Sequence, residues 1–197
     1  MSIKKFDNMG DVPMVFKNRP NIAHKTVSGE EVWDSRSVAV SGVVLAWKVN
    51  DIFPHVLVSK RGPNAADFKG KWNTVCGYLD KNESGTEAFI REAWEEVGIN
   101  LVKIMKTKDE VIEHMEQPWF VNHYPTENRE NVTLRFGLCF SIQRTDELPK
   151  LTTKYNEVVG EVEDPSWIKF EDLDNYEWAF NHDKVIKSYL DLILKTN

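Results

Sequence analysis

The pattern of apolar and polar residues divides the chain into strands, loops and helices. Residues 37–47 form a β-branched, apolar run typical of a buried strand, and residues 55–60 form a second run after a turn at residues 50–51. Residues 61–73 contain glycine, proline and several polar residues, so they are predicted to form a loop. Further strands are predicted near residues 99–106, 131–143 and 157–170.

Two segments have the spacing of an amphipathic helix. Residues 84–97 start with Ser84 and Glu87, which fit a capping box, and Gly98 suits the position just after a helix end. Residues 183–195 place apolar side chains at helical intervals and predict a closing helix. Strands and helices alternate without a strict βαβ order, which favours an α+β or layered α/β/α fold.

The first 36 residues have no clear period, because glycine, proline and scattered charges interrupt it. We therefore expect an N-terminal extension over residues 1–36, with a short strand at residues 30–33, and a main domain over residues 37–197. The extension could add an edge strand or exchange between subunits, so a homodimer is an open expectation.

Composition narrows the functional classes. The 197 residues are 41% hydrophobic and 28% charged, which excludes disorder of the whole chain. The net charge of -6 argues against a broad basic surface that would bind nucleic acid. We expect no membrane span and no secretory leader, because no apolar run is long enough. Two cysteines, Cys76 and Cys139, form no disulfide framework, so a reducing, cytoplasmic compartment is expected.

The first helix has two faces of opposite character. Glu92, Glu95 and Glu96 lie three and four residues apart on one arc, where their carboxylates repel one another. A divalent cation such as Mg²⁺ would offset that repulsion, and Arg91 could hold a carboxylate in place. The alternative is a solvated acidic face with a salt bridge. The opposite arc is predicted to face the core and consists of Phe89, Ile90, Ala93, Trp94 and Val97.

The longer segment over residues 77–99 resembles the Nudix box, the signature of the Nudix hydrolase superfamily. Ala93 and Ile99 occupy its hydrophobic places, and Trp72 stands in a tryptophan lead-in. The lead-in ends Val75-Cys76-Gly77, where Pro-Gly-Gly is frequent. The fixed positions of the pattern are occupied by Gly77, Glu83, Arg91, Glu92, Glu95, Glu96 and Gly98.

This resemblance implies a Nudix fold, an α/β/α sandwich with a mixed central sheet. It implies Mg²⁺ or Mn²⁺ held by Glu92, Glu95 and Glu96 together with the carbonyl of Gly77. It also implies a metal-dependent pyrophosphohydrolase, in which water attacks one phosphorus of a nucleoside diphosphate derivative. The base would be a helix glutamate or a later carboxylate such as Glu161.

Arg91 is expected to serve the catalytic group by fixing its carboxylates. Glu83 is expected to be structural and to tie its loop to Arg91.

Two residues are candidates for substrate contact. Trp119, in a loop after the box, could stack on a nucleobase, and Arg129, in the charged loop over residues 125–130, could bind a phosphate. His182 could cap the terminal helix or lie near the substrate, and capping and packing at the start of this helix are the favoured explanation.

Several readings stay open. The substrate could be ADP-ribose, a dinucleotide, a nucleotide sugar or a nucleoside triphosphate, whereas RNA is disfavoured by the acidic charge. A Nudix-fold sensor that binds a nucleotide without cleaving it is the main alternative, although the complete set of glutamates argues against it. An isomerase on the same fold and a structural protein with an acidic helix fit the residues less well.

Overall fold

The computed structural model describes residues 22–34, 38–80, 82–125 and 130–196. Arg129 lies outside these ranges. The strands are β1 (Ile22–Lys25), β2 (Glu31–Asp34), β3 (Val38–Lys48), β4 (His55–Arg61), β5 (Trp72–Asn73), β6 (Val75–Tyr78), β7 (Val111–His114), β8 (Phe120–Pro125), β9 (Glu130–Ile142) and β10 (Val162–Lys169). The helices are α1 (Gly85–Val97), α2 (Leu101–Thr107), a 3-10 helix (Phe170–Asn175) and α3 (His182–Thr196).

The central sheet has eight strands and is mixed. Its main path runs β10-β4-β3-β9-β7, with β5 beside β4, β6 beside β3 and β8 beside β9. The pair β3–β9 is parallel and the other pairs are antiparallel. A mixed sheet with helices on its faces confirms the predicted α+β class.

Strand alternation separates the core into two layers, one on each face of the sheet. Along β3, Val44 belongs to the apolar cluster under α1, whereas Val43 belongs to the cluster under α3. Phe89 of α1 lies so close to Gly42 of β3 that any larger side chain at residue 42 would collide with its ring. The sheet is thus packed between α1 on one face and α3 on the other, as in an α/β/α sandwich.

Helix α1 begins and ends where the sequence predicts. The Ser84 side chain accepts from the Glu87 amide while Glu87 bonds back to the Ser84 amide. Gly98 ends the helix with φ 71°, a conformation that costs glycine little. One helix residue differs from expectation. Trp94 is half-buried and stacks on Tyr155 at 4.4 Å instead of entering the core, because its position lies at the edge of the apolar arc.

The predicted strand near residues 99–106 is wrong, because this segment forms the helix α2. Asn100 caps it by accepting a hydrogen bond from the Lys103 amide at 2.8 Å. Leu101 and Ile104 then face the core three residues apart. A short apolar run does not distinguish a strand from one buried face of a helix. Here the Asn100 cap marks the segment as the start of a helix.

The N-terminal extension contains an antiparallel hairpin of β1 and β2, and β2 overlaps the strand expected at residues 30–33. The hairpin is hydrogen-bonded as a separate two-stranded sheet. No helix in the described parts of the chain is long and apolar enough to cross a membrane.

Candidate active site

The site is built where the loop after β6 meets α1. Gly77 lies against the carboxylate of Glu92, and a Cβ at residue 77 would collide with it. The Cys76 amide donates to Glu96 Oε2 at 3.2 Å, so the same strand orients a second carboxylate. The absence of a side chain at residue 77 lets the helix carboxylates approach the backbone of β6.

Arg91 organises the carboxylates around it. Its Nε and Nη2 donate to both oxygens of Glu83 at 2.9 and 3.0 Å, which is a bidentate pair. Its Nη1 donates to Glu92 at 2.7 Å and to Glu95 at 2.9 Å, and Nη2 also donates to the carbonyl of Tyr78. These contacts employ all five N–H groups of the guanidinium. The predicted tie between Glu83 and Arg91 is therefore present.

Burial and mutual repulsion make the carboxylates hard to ionise. Burial is the main cause that raises the pKa of Glu92 above its usual range, and nearby Glu95 and Glu161 add to it. Burial likewise raises the pKa of Glu96, with Glu92 and then Glu161 as further causes. Burial also raises the pKa of Glu95. Four negative side chains thus influence one another in a poorly hydrated place.

Glu161 comes from a different part of the chain and faces the same group. It precedes β10 and is half-buried, and it contributes to the raised pKa values of both Glu92 and Glu96. Arg61 lies nearby, because its charge lowers the pKa of Glu161 against the effect of burial. The late carboxylate of the sequence prediction therefore acts electrostatically on two helix glutamates, and its role in the site stays a prediction.

The two predicted substrate contacts have different outcomes. Trp119 is half-buried in the cluster under α3, where its ring lies 5.5 Å from that of Tyr189 and its Nε1 donates to the carbonyl of Phe136. The structure does not bring it to the glutamates, which lie on the α1 side. Arg129 lies outside the described residues, so its role stays a prediction.

The sequence analysis named His182 as a residue that caps or packs the terminal helix, but it missed Thr74 and Arg135, which are buried with it on the α3 face. His182 is 3% exposed, and its Nδ1 accepts from the Thr74 amide at 3.1 Å. Arg135 is 4% exposed and donates to Asn122 and Ser41. An arginine at an inward position of an otherwise apolar strand was the available signal for Arg135, whereas nothing in the local sequence marked Thr74.

Arg61 is the other basic residue that was missed. It is 8% exposed, and its guanidinium donates to the side chain of Asp67 at 2.6 Å and to its carbonyl at 2.8 Å. The ring of Phe180 lies 5.1 Å from the guanidinium carbon. The charge of Arg61 thus acts on two buried groups, because it lowers the pKa of Glu96 and also that of His182.

A family model describing the NUDIX domain matches residues 36–189. The chain belongs to the Nudix hydrolase superfamily. The match covers the whole eight-stranded sheet and α1 but not β1 and β2, and it confirms the resemblance seen at residues 77–99. A search of curated proteins finds no match.

Solved structures with the same fold are many and distant. The NUDIX domain of Shewanella oneidensis NrtR, a cocrystal with ADP ribose, is 16% identical with a TM-score of 0.59, covering 81% of this chain and 90% of that chain. The M. smegmatis Nudix hydrolase RenU is 13% identical with a TM-score of 0.60, covering 89% and 96%. A C. elegans Ap4A hydrolase complex is 15% identical with a TM-score of 0.55, covering 80% and 98%. At these identities the likeness establishes the fold alone.

Proposed function

We propose that this Nudix protein is a metal-dependent pyrophosphohydrolase that cleaves a nucleoside diphosphate derivative. The observation that carries the proposal is a group of carboxylates in which Glu92 lies against Gly77, Glu96 accepts from the Cys76 amide and Glu95 accepts from Arg91. Burial disfavours their charge, and repulsion from Glu161 adds to it at Glu92 and Glu96. Such a cluster suits an enzyme that must attract a cation and a polyphosphate.

The donor set fits Mg²⁺ or Mn²⁺, because carboxylate and carbonyl oxygens are hard ligands. Glu92, Glu95 and Glu96 with the carbonyl of Gly77 would hold the ion. In the described ranges, no group of three or more His, Cys, Asp or Glu side chains is arranged as a ready-made metal centre. Arg91 Nη1 instead binds Glu92 and Glu95, so these side chains would have to turn from it toward the ion. When bound, the ion would neutralise pyrophosphate oxygens and lower the pKa of an attacking water.

The protein's own side chains position the carboxylates and accept the proton of the attacking water. Arg91 acts as a positioning residue, since its five N–H groups are engaged with protein oxygens. Glu161, or one of the helix glutamates, accepts the proton of the water as its oxygen bonds to phosphorus. The bond from that phosphorus to the bridging oxygen breaks, and the phosphate on the other side leaves.

The substrate class is the least determined part of the proposal. One structural neighbour binds ADP ribose and another is an Ap4A hydrolase, which makes these two ligands the first candidates. Trp119 lies on the α3 side of the sheet, where its amide donates to the carbonyl of Arg135 at 2.9 Å, so a base that reaches it would extend away from the glutamates. We propose that the Trp119 ring contacts the nucleobase and that Arg129 contacts a phosphate.

A substrate panel tests the function. Phosphate-containing products are measured after incubation with ADP-ribose, NADH, a dinucleoside polyphosphate, nucleotide sugars and nucleoside triphosphates. Each reaction is run with Mg²⁺, with Mn²⁺ and with a chelator, and Glu96→Gln serves as the inactive control. We expect metal-dependent turnover of one class of substrate by the wild-type protein alone.

Two other outcomes would contradict the proposal. Turnover that persists in the chelator and in Glu96→Gln would show that the carboxylate group is not the catalytic site. No turnover of any compound, with one compound still raising the melting temperature, would favour the sensor alternative.

A further inference from the structure

The short loop after β4 is hydrogen-bonded to the segment that carries Glu161, although the two lie far apart in sequence. The Gly62 amide donates to the carbonyl of Glu161 at 2.7 Å, and the Asn64 amide donates to the carbonyl of Gly160 at 2.9 Å. The Asn64 side chain adds a third bond, from Nδ2 to the carbonyl of Val159 at 2.7 Å. Three consecutive carbonyls, those of residues 159–161, are therefore held by residues 62 and 64.

The two segments also meet too closely for a larger side chain. A Cβ at Gly62 would collide with the carbonyl oxygen of Gly160, which is a backbone atom and cannot rotate away. Gly160 itself has φ 78°, in the left-handed region that favours glycine. The Glu161 amide donates to Val158 at 3.1 Å and closes the turn. The backbone path into Glu161 is thus fixed from both sides.

Much of this fastening lies at the surface, although Gly62 and Ala65 of the same loop are buried. Asn64, Val158 and Val159 are exposed, and Val159 is 84% exposed. Loops with exposed tips gain little from such order, since ordering a residue costs about 1–2 kcal/mol of backbone entropy. The residue that gains a fixed position from it is Glu161, which directly precedes β10, a strand that contacts α1. Its charge also acts on Glu92 and Glu96 of that helix.

We propose that Gly62 and Asn64 are positioning residues that hold Glu161 against the helix glutamates. Asn64 orders the turn through its side chain, and the missing side chain at residue 62 lets the turn approach. This inference rests on the proposed function, because it assigns the loop a role in the same reaction. It adds a part of the site that lies outside the Nudix box.

Kinetics of four single variants test the inference with the best substrate at saturating metal. Asn64→Ala removes one hydrogen bond at an exposed position, and we expect kcat to fall about 3- to 10-fold with KM changed less than about twofold. Gly62→Ala pushes the turn away, and we expect a loss of about 100-fold, approaching that of Glu161→Gln. Asn175→Ala is the matched control, because Asn175 is also exposed and bonds a nearby side chain, and it should keep wild-type kcat.

A double-mutant cycle separates positioning from a general structural effect. If Asn64 and Gly62 act through Glu161, neither substitution should lower kcat further in the Glu161→Gln background. Hydrogen exchange supplies a readout apart from activity, because Asn64→Ala should speed exchange over residues 157–162 while leaving α1 protected. The Asn64 variant keeps the test valid if Gly62→Ala fails to fold.

The possible failures can be told apart. A wild-type protein without turnover would contradict the proposed function and, with it, the role of the loop. An active wild-type protein in which Asn64→Ala keeps both kcat and the exchange of residues 157–162 would overturn only the inference. Equal losses of kcat with and without Glu161 would also overturn it.

Discussion

Two walls of the candidate site are built in different ways. The helix wall, Gly77 to Glu96, comes from one continuous segment in which Arg91 binds three carboxylates. The loop wall joins residues 61–67 to residues 157–161, and its arginine, Arg61, binds one carboxylate and a ring. The helix wall is held by local spacing and buried ion pairs, whereas the loop wall is held by backbone hydrogen bonds between distant segments. The two walls should therefore respond differently to substitution.

The largest effect is expected on activity at the helix wall. Glu96→Gln removes one charge from the proposed metal site, and we expect kcat to fall by about 1,000-fold or more, since a catalytic ion contributes several kcal/mol to the transition state. The melting temperature should stay unchanged or rise, because burial opposes ionisation of Glu96 and glutamine can still accept from the Cys76 amide. Steady-state kinetics and calorimetry check both parts. Wild-type kcat in this variant would contradict the assignment of the site.

A matched pair of substitutions compares the two arginines directly. Glu83→Gln breaks a bidentate pair in which both side chains are nearly buried, with 6% and 11% exposure, and should lower the free energy of unfolding by about 2–3 kcal/mol. Asp67→Asn breaks a pair whose carboxylate is 44% exposed, and should cost less than about 1 kcal/mol. Urea unfolding at pH 7 measures both. Equal losses would show that the two walls are held with similar strength.

The burial of His182 should make the free energy of unfolding depend on pH. Burial, with Arg135 and Arg61 as further causes, lowers its pKa to about 3. The folded state therefore excludes a proton that the unfolded state binds below pH 6.5, so the stability contributed by neutral His182 falls as the pH decreases. We expect up to about 1.4 kcal/mol of loss for each pH unit below 6.

His182→Asn is the matched variant, because its amide oxygen can replace Nδ1 as the acceptor for Thr74. Unfolding curves at pH 7, 6 and 5 should show a smaller loss in the variant than in the wild-type protein. Parallel losses in the two proteins would mean that His182 is protonated without cost in the folded state.

The smallest effect is expected at Trp119. Trp119→Ala should raise KM for a nucleobase-containing substrate several-fold, with little change in kcat, if the ring contacts the base. Trp119→Phe is the control, because it keeps an aromatic ring and loses the hydrogen bond from Nε1 to the Phe136 carbonyl. An unchanged KM in Trp119→Ala, together with reduced stability, would assign the ring to packing against Tyr189 alone.

Local interactions account for what the sequence alone could establish. The capping box, the glycine after the helix and the order of glutamates around Arg91 depend on residues within about two dozen positions. Their spacing predicted α1, and the same residues carried the resemblance to the Nudix box. The alternation of apolar residues predicted β3, β4 and β9 for the same reason. The segment after α1 was misread as a strand because a helix of seven residues shows only two turns of periodicity.

The contacts that build the loop wall could be identified only from the tertiary structure. Gly62 and Asn64 contact the turn before β10 because β4 and β10 are paired in the sheet. No periodicity in one segment encodes a contact across 95 residues such as that between Asn64 and Val159. The same holds for Trp94 and Trp119, whose neighbours Tyr155 and Tyr189 come from distant elements. The sequence by itself determined the fold family and the helix carboxylates through short-range spacing, while the partners that position and surround them depended on long-range packing.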